Sequence, residues 1–131
     1  LGLVGSEMCI RDRDSEAARD AARASICGLF HPVPHPYYDS QMRQQGFSEA
    51  ANMLSELMPE GRTSEAKQLL PEKIVDSLTI SGTPSECSRR IAQYEGVADQ
   101  VVMMRVAQRN EPVGVAAYEP ILELVSEVNS R

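Results

Sequence analysis

An α/β fold with parallel strands is predicted by two apolar runs and by the helix signals between them. The runs at residues 78–80 and 101–104 are short and rich in β-branched or long apolar side chains, which is typical of buried strands. Between them, Thr83 can cap a helix, Pro84 suits its first position and Glu86 can close a capping box. Strand, helix and strand in about thirty residues form a βαβ unit with parallel strands. Since both runs suit strands buried on both faces, a larger sheet or barrel must surround the unit.

Five helices are predicted before the first strand. The first covers residues 14–30 and places Ala18, Ala22, Ile26 and Phe30 on one buried face. Three prolines between residues 31 and 36 end it, because proline cannot continue a helix. The four that follow are shorter and lie near residues 37–42, 48–58, 64–70 and 71–75. Ser48 is the expected N-cap of the helix at residues 48–58.

One further helix is predicted after the second strand, at residues 116–128. Its inner face is expected to carry Ile121, Leu122, Val125 and Val128. The second strand and this helix are joined by a polar loop that begins at Arg105.

Composition excludes several functional classes. With 13 basic and 19 acidic residues the net charge is −6, which disfavours nucleic acid or an anionic membrane as partner. No run approaches the roughly eighteen apolar residues of a membrane span. The three cysteines lack metal-binding or CxxC spacing, which favours a reducing cytoplasm. We therefore expect a cytoplasmic protein that binds neither nucleic acid nor membrane.

The segment LGLVGSEMCIRDR, residues 1–13, differs in character from the rest of the chain. The chain starts with leucine, so we expect the natural N-terminus to lie upstream. The segment resembles translated sequencing adapter, and we interpret it as non-biological and outside the fold. On this interpretation it packs on nothing specific, and residues 14–131 form the natural domain. The alternative is a short strand at residues 1–4 followed by a loop.

The order of these features resembles the C-terminal third of luciferase-like monooxygenases. The most specific part is ISGTPSEC at residues 80–87, followed by Arg90, Ile91 and Tyr94. The resemblance covers most of residues 14–131 and is strongest for the branch of methylenetetrahydromethanopterin reductases and other deazaflavin-dependent oxidoreductases. It implies the C-terminal part of a (β/α)8 TIM barrel: the last two strands and helices, after a helical segment. A complete barrel needs about 250 residues. The sequence EGVAD at residues 95–99 departs from the family's usual AGVD.

The function that this resemblance implies is that of a flavin- or deazaflavin-dependent oxidoreductase. The parent enzyme would transfer a hydride or activate oxygen on a small organic substrate, using the deazaflavin coenzyme F-420 or flavin mononucleotide (FMN). A homodimeric parent is compatible with it. The chain alone is expected to be inactive, because most of the family's cofactor contacts lie upstream of this part. The alternative is a free-standing acidic α/β interaction module without catalysis.

Gly82, Thr83 and Arg105 are the candidate cofactor-binding residues, because barrel active sites lie on the loops that follow the strands. The helix start at Thr83 can hold a phosphate, or it can be an ordinary cap in which the threonine hydroxyl takes those donors. Arg105 can pair with an anionic cofactor tail or simply be solvated. His31 and His35 lack a third ligand, so we predict no metal site. No catalytic residue is assigned.

Overall fold

The structure is a computed structural model, and it describes residues 4–11, 14–105 and 114–130. The chain divides into two compact units. One consists of Leu1–Ala21 and Leu78–Arg131, and the other of Ala22–Ser77. The first contains the strands and the predicted site.

Within the described residues, five helices precede the strand that was predicted at residues 78–80, as expected. They are α1 (Ser15–Gly28), α2 (Pro36–Gln44), α3 (Ser48–Leu57), α4 (Thr63–Leu69) and α5 (Glu72–Leu78). Asp14 caps α1, since its Oδ1 accepts the N–H groups of Glu16 at 2.9 Å and Ala17 at 3.3 Å. The prediction of Ser48 as a cap was wrong: Phe47 is the N-cap of α3, and Ser48 is already helical.

Apolar side chains at helical spacing form the interior of the unit Ala22–Ser77. Ile26, Phe30, Met42, Leu54 and Ile74 are fully buried. The predicted buried face of α1 is confirmed for Ala18, Ala22 and Ile26, which are inaccessible to solvent. Phe30 is also buried, but α1 ends before it, at Gly28. An ion pair between Arg23 and Glu72 joins α1 to α5.

In the part of the chain that the structure describes, the sheet has three parallel strands: β1 (Val4–Arg11), β2 (Thr79–Gly82) and β3 (Gln100–Arg105). Their order is β2-β1-β3, with Arg11 opposite Gly82 and Cys9 opposite Arg105. The predicted pair of parallel strands is therefore confirmed. The sequence did not predict that β1 lies between them, whereas consecutive strands of a TIM barrel are neighbours.

The expectation that residues 1–13 pack on nothing specific is contradicted by β1. Val4–Arg11 pairs along its length with β2 on one side and β3 on the other. The alternative, a strand at residues 1–4, also places the strand too early. Parallel pairing uses backbone groups, so a segment with weak side-chain periodicity can still be the middle strand. That residues 1–13 derive from adapter remains a prediction.

Two helices pack with the sheet in this unit: α6 (Pro84–Ala92) follows β2, and α7 (Glu119–Asn129) follows a 3₁₀ turn at Val115–Tyr118. Ile80 of β2, Cys87 and Ile91 of α6, and Leu124 of α7 form a buried cluster. This cluster fixes the start of α6 at the end of β2, where the predicted site lies. No described helix is long and apolar enough to cross a membrane.

Two burial predictions in this unit were wrong. Leu122 is 57% exposed, while Leu124, which was not predicted, is fully buried. Residues 121, 124, 125 and 128 follow the i, i+3, i+4, i+7 spacing of one helix face, and residue 122 falls outside it. In β3, Val102 is 42% exposed, so this strand is not buried on both faces. It is an outer strand of the described sheet, which leaves one side without a neighbouring strand.

Candidate functional site

The candidate site lies at the carboxyl edge of the parallel sheet. Gly82 ends β2 and Arg105 ends β3, and both strands run in the same direction beside β1. Two strand spacings and a two-residue offset separate Gly82 from Arg105, which places their backbones roughly 12 Å apart. The carboxyl edge is where ligands bind in parallel α/β sheets. The fold therefore brings the backbones of the predicted residues to the same edge of the sheet.

Gly82 forms the turn between β2 and α6. Its φ of +145° lies in a region that side-chain-bearing residues rarely adopt. A Cβ atom at this position would also clash with Oε2 of Glu86. Glycine is therefore favoured here for two reasons: the positive φ of the backbone and the close approach of the Glu86 carboxylate.

The start of α6 is a complete capping box, as the sequence predicted. The Thr83 N–H donates to Oε2 of Glu86 at 2.7 Å, and the Glu86 N–H donates to Oγ1 of Thr83 at 3.4 Å. The Cys87 N–H donates to the Thr83 carbonyl at 2.9 Å. The Thr83 and Glu86 N–H groups, which could otherwise bind a phosphate at this helix start, are therefore already paired. The ordinary-cap alternative is the one that the structure supports at this helix start.

Glu86 supplies a fixed negative charge at the same place. The Thr83 N–H, and then the Ser15 hydroxyl, hold the pKa of Glu86 below its ordinary value. Ser15 belongs to the first turn of α1, so this carboxylate joins the starts of two helices. Because a carboxylate repels anions, an uncharged group suits the space beside Gly82 better than a phosphate.

Two buried hydroxyl groups lie on β2 just before the turn. Oγ of Ser81 is 3.1 Å from Oγ1 of Thr79, and both residues are almost inaccessible to solvent. Alternation along the strand places them on the face opposite Ile80, which packs into the helix cluster. The strand predicted at residues 78–80 ended before Ser81, so this pair was missed. The alternation Thr79, Ile80, Ser81 was the available signal.

The other predicted positions have ordinary structural surroundings. Nδ1 of His31 lies 3.0 Å from the Met58 carbonyl oxygen, and the ring of His35 packs edge-on against Tyr38. The described residues contain no cluster of potential metal ligands. For Arg105 the structure describes the backbone only, and the rest of the predicted polar loop, residues 106–113, lies outside the described residues.

Comparisons with known proteins bear on the family and the fold of this chain. Residues 2–100 match the family described as luciferase-like monooxygenase. A solved structure with a similar fold is the coenzyme F-420-dependent tetrahydromethanopterin reductase from Methanopyrus kandleri, with a TM-score of 0.64 and 21% sequence identity. The similarity covers 95% of this chain and 33% of that protein, so the chain spans about a third of its length. No curated protein gives a significant match.

These matches confirm the predicted fold class. At 21% identity the reductase shows the fold alone, which is that of part of a TIM-barrel-like domain. The described residues contain three strands and no closed barrel. The family and the solved structure are both named for oxidoreductase chemistry. Because the family match extends over most of the sequence, the chain belongs to the luciferase-like monooxygenase family.

Proposed function

We propose that this chain is part of a cytoplasmic flavin- or deazaflavin-dependent oxidoreductase that acts on a small organic substrate. Membership of the luciferase-like monooxygenase family is the observation that carries the proposal. The reductase of similar fold is named for coenzyme F-420, which makes the deazaflavin the first cofactor to test and FMN the second. The bound cofactor would supply hydride transfer or oxygen activation.

The residues at the carboxyl edge suit different parts of such a cofactor. The donors of Thr83 and Glu86 are paired with each other, and the Glu86 carboxylate repels anions. The start of α6 therefore does not fit the cofactor phosphate. Gly82 and Thr83 would contact an uncharged part, where the rigid turn gives a fixed surface. Arg105, at the end of β3, would pair with the anionic tail, since guanidinium groups bind phosphate well.

A comparison of FMN with riboflavin tests this division. The protein is expressed from a reading frame extended upstream of residue 14, and binding of F-420, FMN and riboflavin is followed by fluorescence. We expect saturable binding of F-420 or FMN. Arg105→Gln should weaken FMN binding about tenfold and leave riboflavin binding unchanged, because riboflavin lacks the phosphate. Arg62→Gln serves as the control, because it removes an exposed arginine that is distant from Arg105 in the sequence.

The same titration on the 131-residue chain distinguishes the proposed part of an oxidoreductase from a free-standing interaction module. We expect no saturable binding by this chain, because a few strands cannot form the closed wall that preorganises a barrel site. Failure of the extended protein to bind either cofactor would contradict the proposed function. Together with a monodisperse, folded 131-residue chain, that result would favour the interaction module.

A further inference from the structure

The hydroxyl pair of Thr79 and Ser81 lies on the face of β2 that turns away from the helices. Their oxygen atoms are 3.1 Å apart, and both residues are buried. Ile80, between them, packs on the other face with side chains of α6 and α7. In a (β/α)8 barrel the helices surround the strands, so the face away from the helices is the barrel interior. In the proposed parent, both hydroxyl groups would therefore lie on the interior face.

Hydroxyl groups are unusual at interior positions of a barrel strand. Barrel interiors are filled mainly by branched apolar side chains, which pack closely and need no hydrogen bonds. A buried hydroxyl group, by contrast, costs free energy unless it keeps a hydrogen-bond partner. Thr79 and Ser81 are polar at both interior positions of the four-residue strand β2. Packing alone therefore does not explain these two residues.

Ser81 is the member of the pair that a ligand at the carboxyl edge can reach. It is the last residue of β2 with a side chain, because Gly82 ends the strand. Ser81 keeps 9% of its surface exposed, against 1% for Thr79. A hydroxyl group has one donor and two acceptor sites, and the contact with Thr79 uses one of the three. Thr79 thus fixes the Ser81 hydroxyl and leaves it able to form a further hydrogen bond.

We propose that Ser81 hydrogen-bonds the edge of the cofactor ring system and that Thr79 is a positioning residue for its hydroxyl. This inference rests on the proposed function. The ring and the anionic tail lie at opposite ends of F-420 and of FMN, and the backbones of Gly82 and Arg105 are roughly 12 Å apart. The carbonyl and N–H groups along the ring edge are uncharged, which suits a position beside the Glu86 carboxylate.

The affinity and the absorption spectrum of the bound cofactor test this contact in the protein expressed from the extended reading frame. Ser81→Ala should weaken the binding of each cofactor that the wild type binds, F-420 or FMN, about three- to tenfold, which corresponds to one neutral hydrogen bond. It should also shift the visible absorption band of the cofactor at saturation, because a hydrogen bond to the ring alters its electronic transition. Ser55→Ala is the matched control, since it removes a serine hydroxyl that donates to the Ala51 carbonyl within α3. This control should change neither quantity.

Variants of Thr79 test its positioning role. Thr79→Val keeps the size of the side chain but removes the hydroxyl, and it should weaken cofactor binding only about twofold, because Ser81 retains its own hydroxyl. Thr79→Ser restores the hydroxyl and should restore the wild-type affinity. If Ser81→Ala does not fold, Ser81→Cys provides the same test, since a thiol is only a weak hydrogen-bond donor.

The outcomes separate this inference from the function on which it rests. Wild-type affinity and an unshifted absorption band in Ser81→Ala would overturn the contact and leave the proposed function intact. Weakened binding with an unshifted band would indicate a structural effect and would overturn the contact as well. Absence of F-420 and FMN binding by the wild-type extended protein would instead contradict the proposed function itself.

Discussion

The carboxylate of Glu86 occupies the start of α6 in the way that a bound anion would. It accepts the Thr83 N–H at 2.7 Å and is also hydrogen-bonded by Ser15. Gly82 has no side chain that would displace it. The helix start at the predicted site is thus satisfied from within the chain, and this is why the proposed phosphate contact is assigned to Arg105.

Removal of the Thr83 hydroxyl tests the cap. Thr83→Ala should lower the free energy of unfolding by about 1 kcal/mol, because the Glu86 N–H loses its acceptor. Thr83→Ser keeps the hydroxyl and should cost much less. Urea unfolding of the three proteins provides the comparison. In the extended protein, a large loss of cofactor affinity in Thr83→Ala at unchanged stability would instead indicate a direct phosphate contact.

The lowered pKa of Glu86 predicts a pH dependence of stability. A carboxyl group with a folded-state pKa below its unfolded value stabilises the fold above the unfolded pKa, which for glutamate is ordinarily 4.5. That stabilisation is lost as the pH falls through the folded-state pKa. Glu86→Gln should therefore be less stable than the wild type near neutral pH, and the difference should shrink in acid. The urea midpoints of both proteins at about pH 7 and about pH 3 measure this difference in stability. A difference that is equal at both values would contradict the charged role of Glu86.

At the scale of the element, α7 shows how one helix face is chosen. Leu124 is fully buried against Ile80, Cys87 and Ile91, while Leu122 is mostly exposed. Leu124→Ala should cost about 2–5 kcal/mol through lost contacts and a cavity. Leu122→Ala makes the same chemical change at an exposed position and should stay within about 0.5 kcal/mol. Thermal unfolding of the two variants measures the difference in stability. Equal losses of stability would show that α7 presents a different face to the cluster.

The middle strand β1 gives a second prediction at this scale. Deletion of residues 1–13 removes the backbone partner of both β2 and β3, so we expect a loss of more than about 1 kcal/mol. Replacement of residues 4–11 by alternating valine and threonine keeps a strand-forming backbone and should restore most of that loss. An unchanged unfolding midpoint after deletion would contradict the pairing. It would also agree with the adapter interpretation, under which sequencing upstream of residue 14 in the source gene should reveal different residues.

At the scale of the whole molecule, the open sheet is the main liability of this chain. Within the described residues, β2 and β3 each have β1 on one side and no strand on the other. Unpaired outer strands of this kind favour association with other chains. The chain spans a third of the length of the reductase with a similar fold. In a closed barrel each strand has two neighbours, and such edges do not exist.

We therefore expect the 131-residue chain to self-associate in a concentration-dependent manner. Val102→Lys places a charge on the outer strand β3, at a position already 42% exposed, and should reduce association. Val97→Lys adds the same charge in the turn after α6, where valine is 63% exposed, and should have little effect. Sedimentation velocity over a range of concentrations compares the three proteins. Wild-type protein that stays monomeric throughout would contradict this prediction.

Local chemistry was enough to predict much of this structure. Thr83 and Glu86 carry their capping function within three residues of the chain, and the structure confirms this prediction. The five-helix run and the parallel strand pair likewise follow from apolar spacing and from proline and glycine positions. The family was recognisable because these local signals occur in a particular order.

Contacts between distant segments required the tertiary structure. No periodicity within residues 4–11 indicates that they separate β2 from β3, because backbone pairing depends weakly on side chains. The link from Glu86 to Ser15 joins positions 71 residues apart and has no sequence signature. The choice of Leu124 over Leu122 depends on which helix face meets Ile80 and Ile91. Local preference sets which elements form, whereas burial against a distant partner decides which side chains those elements present to one another.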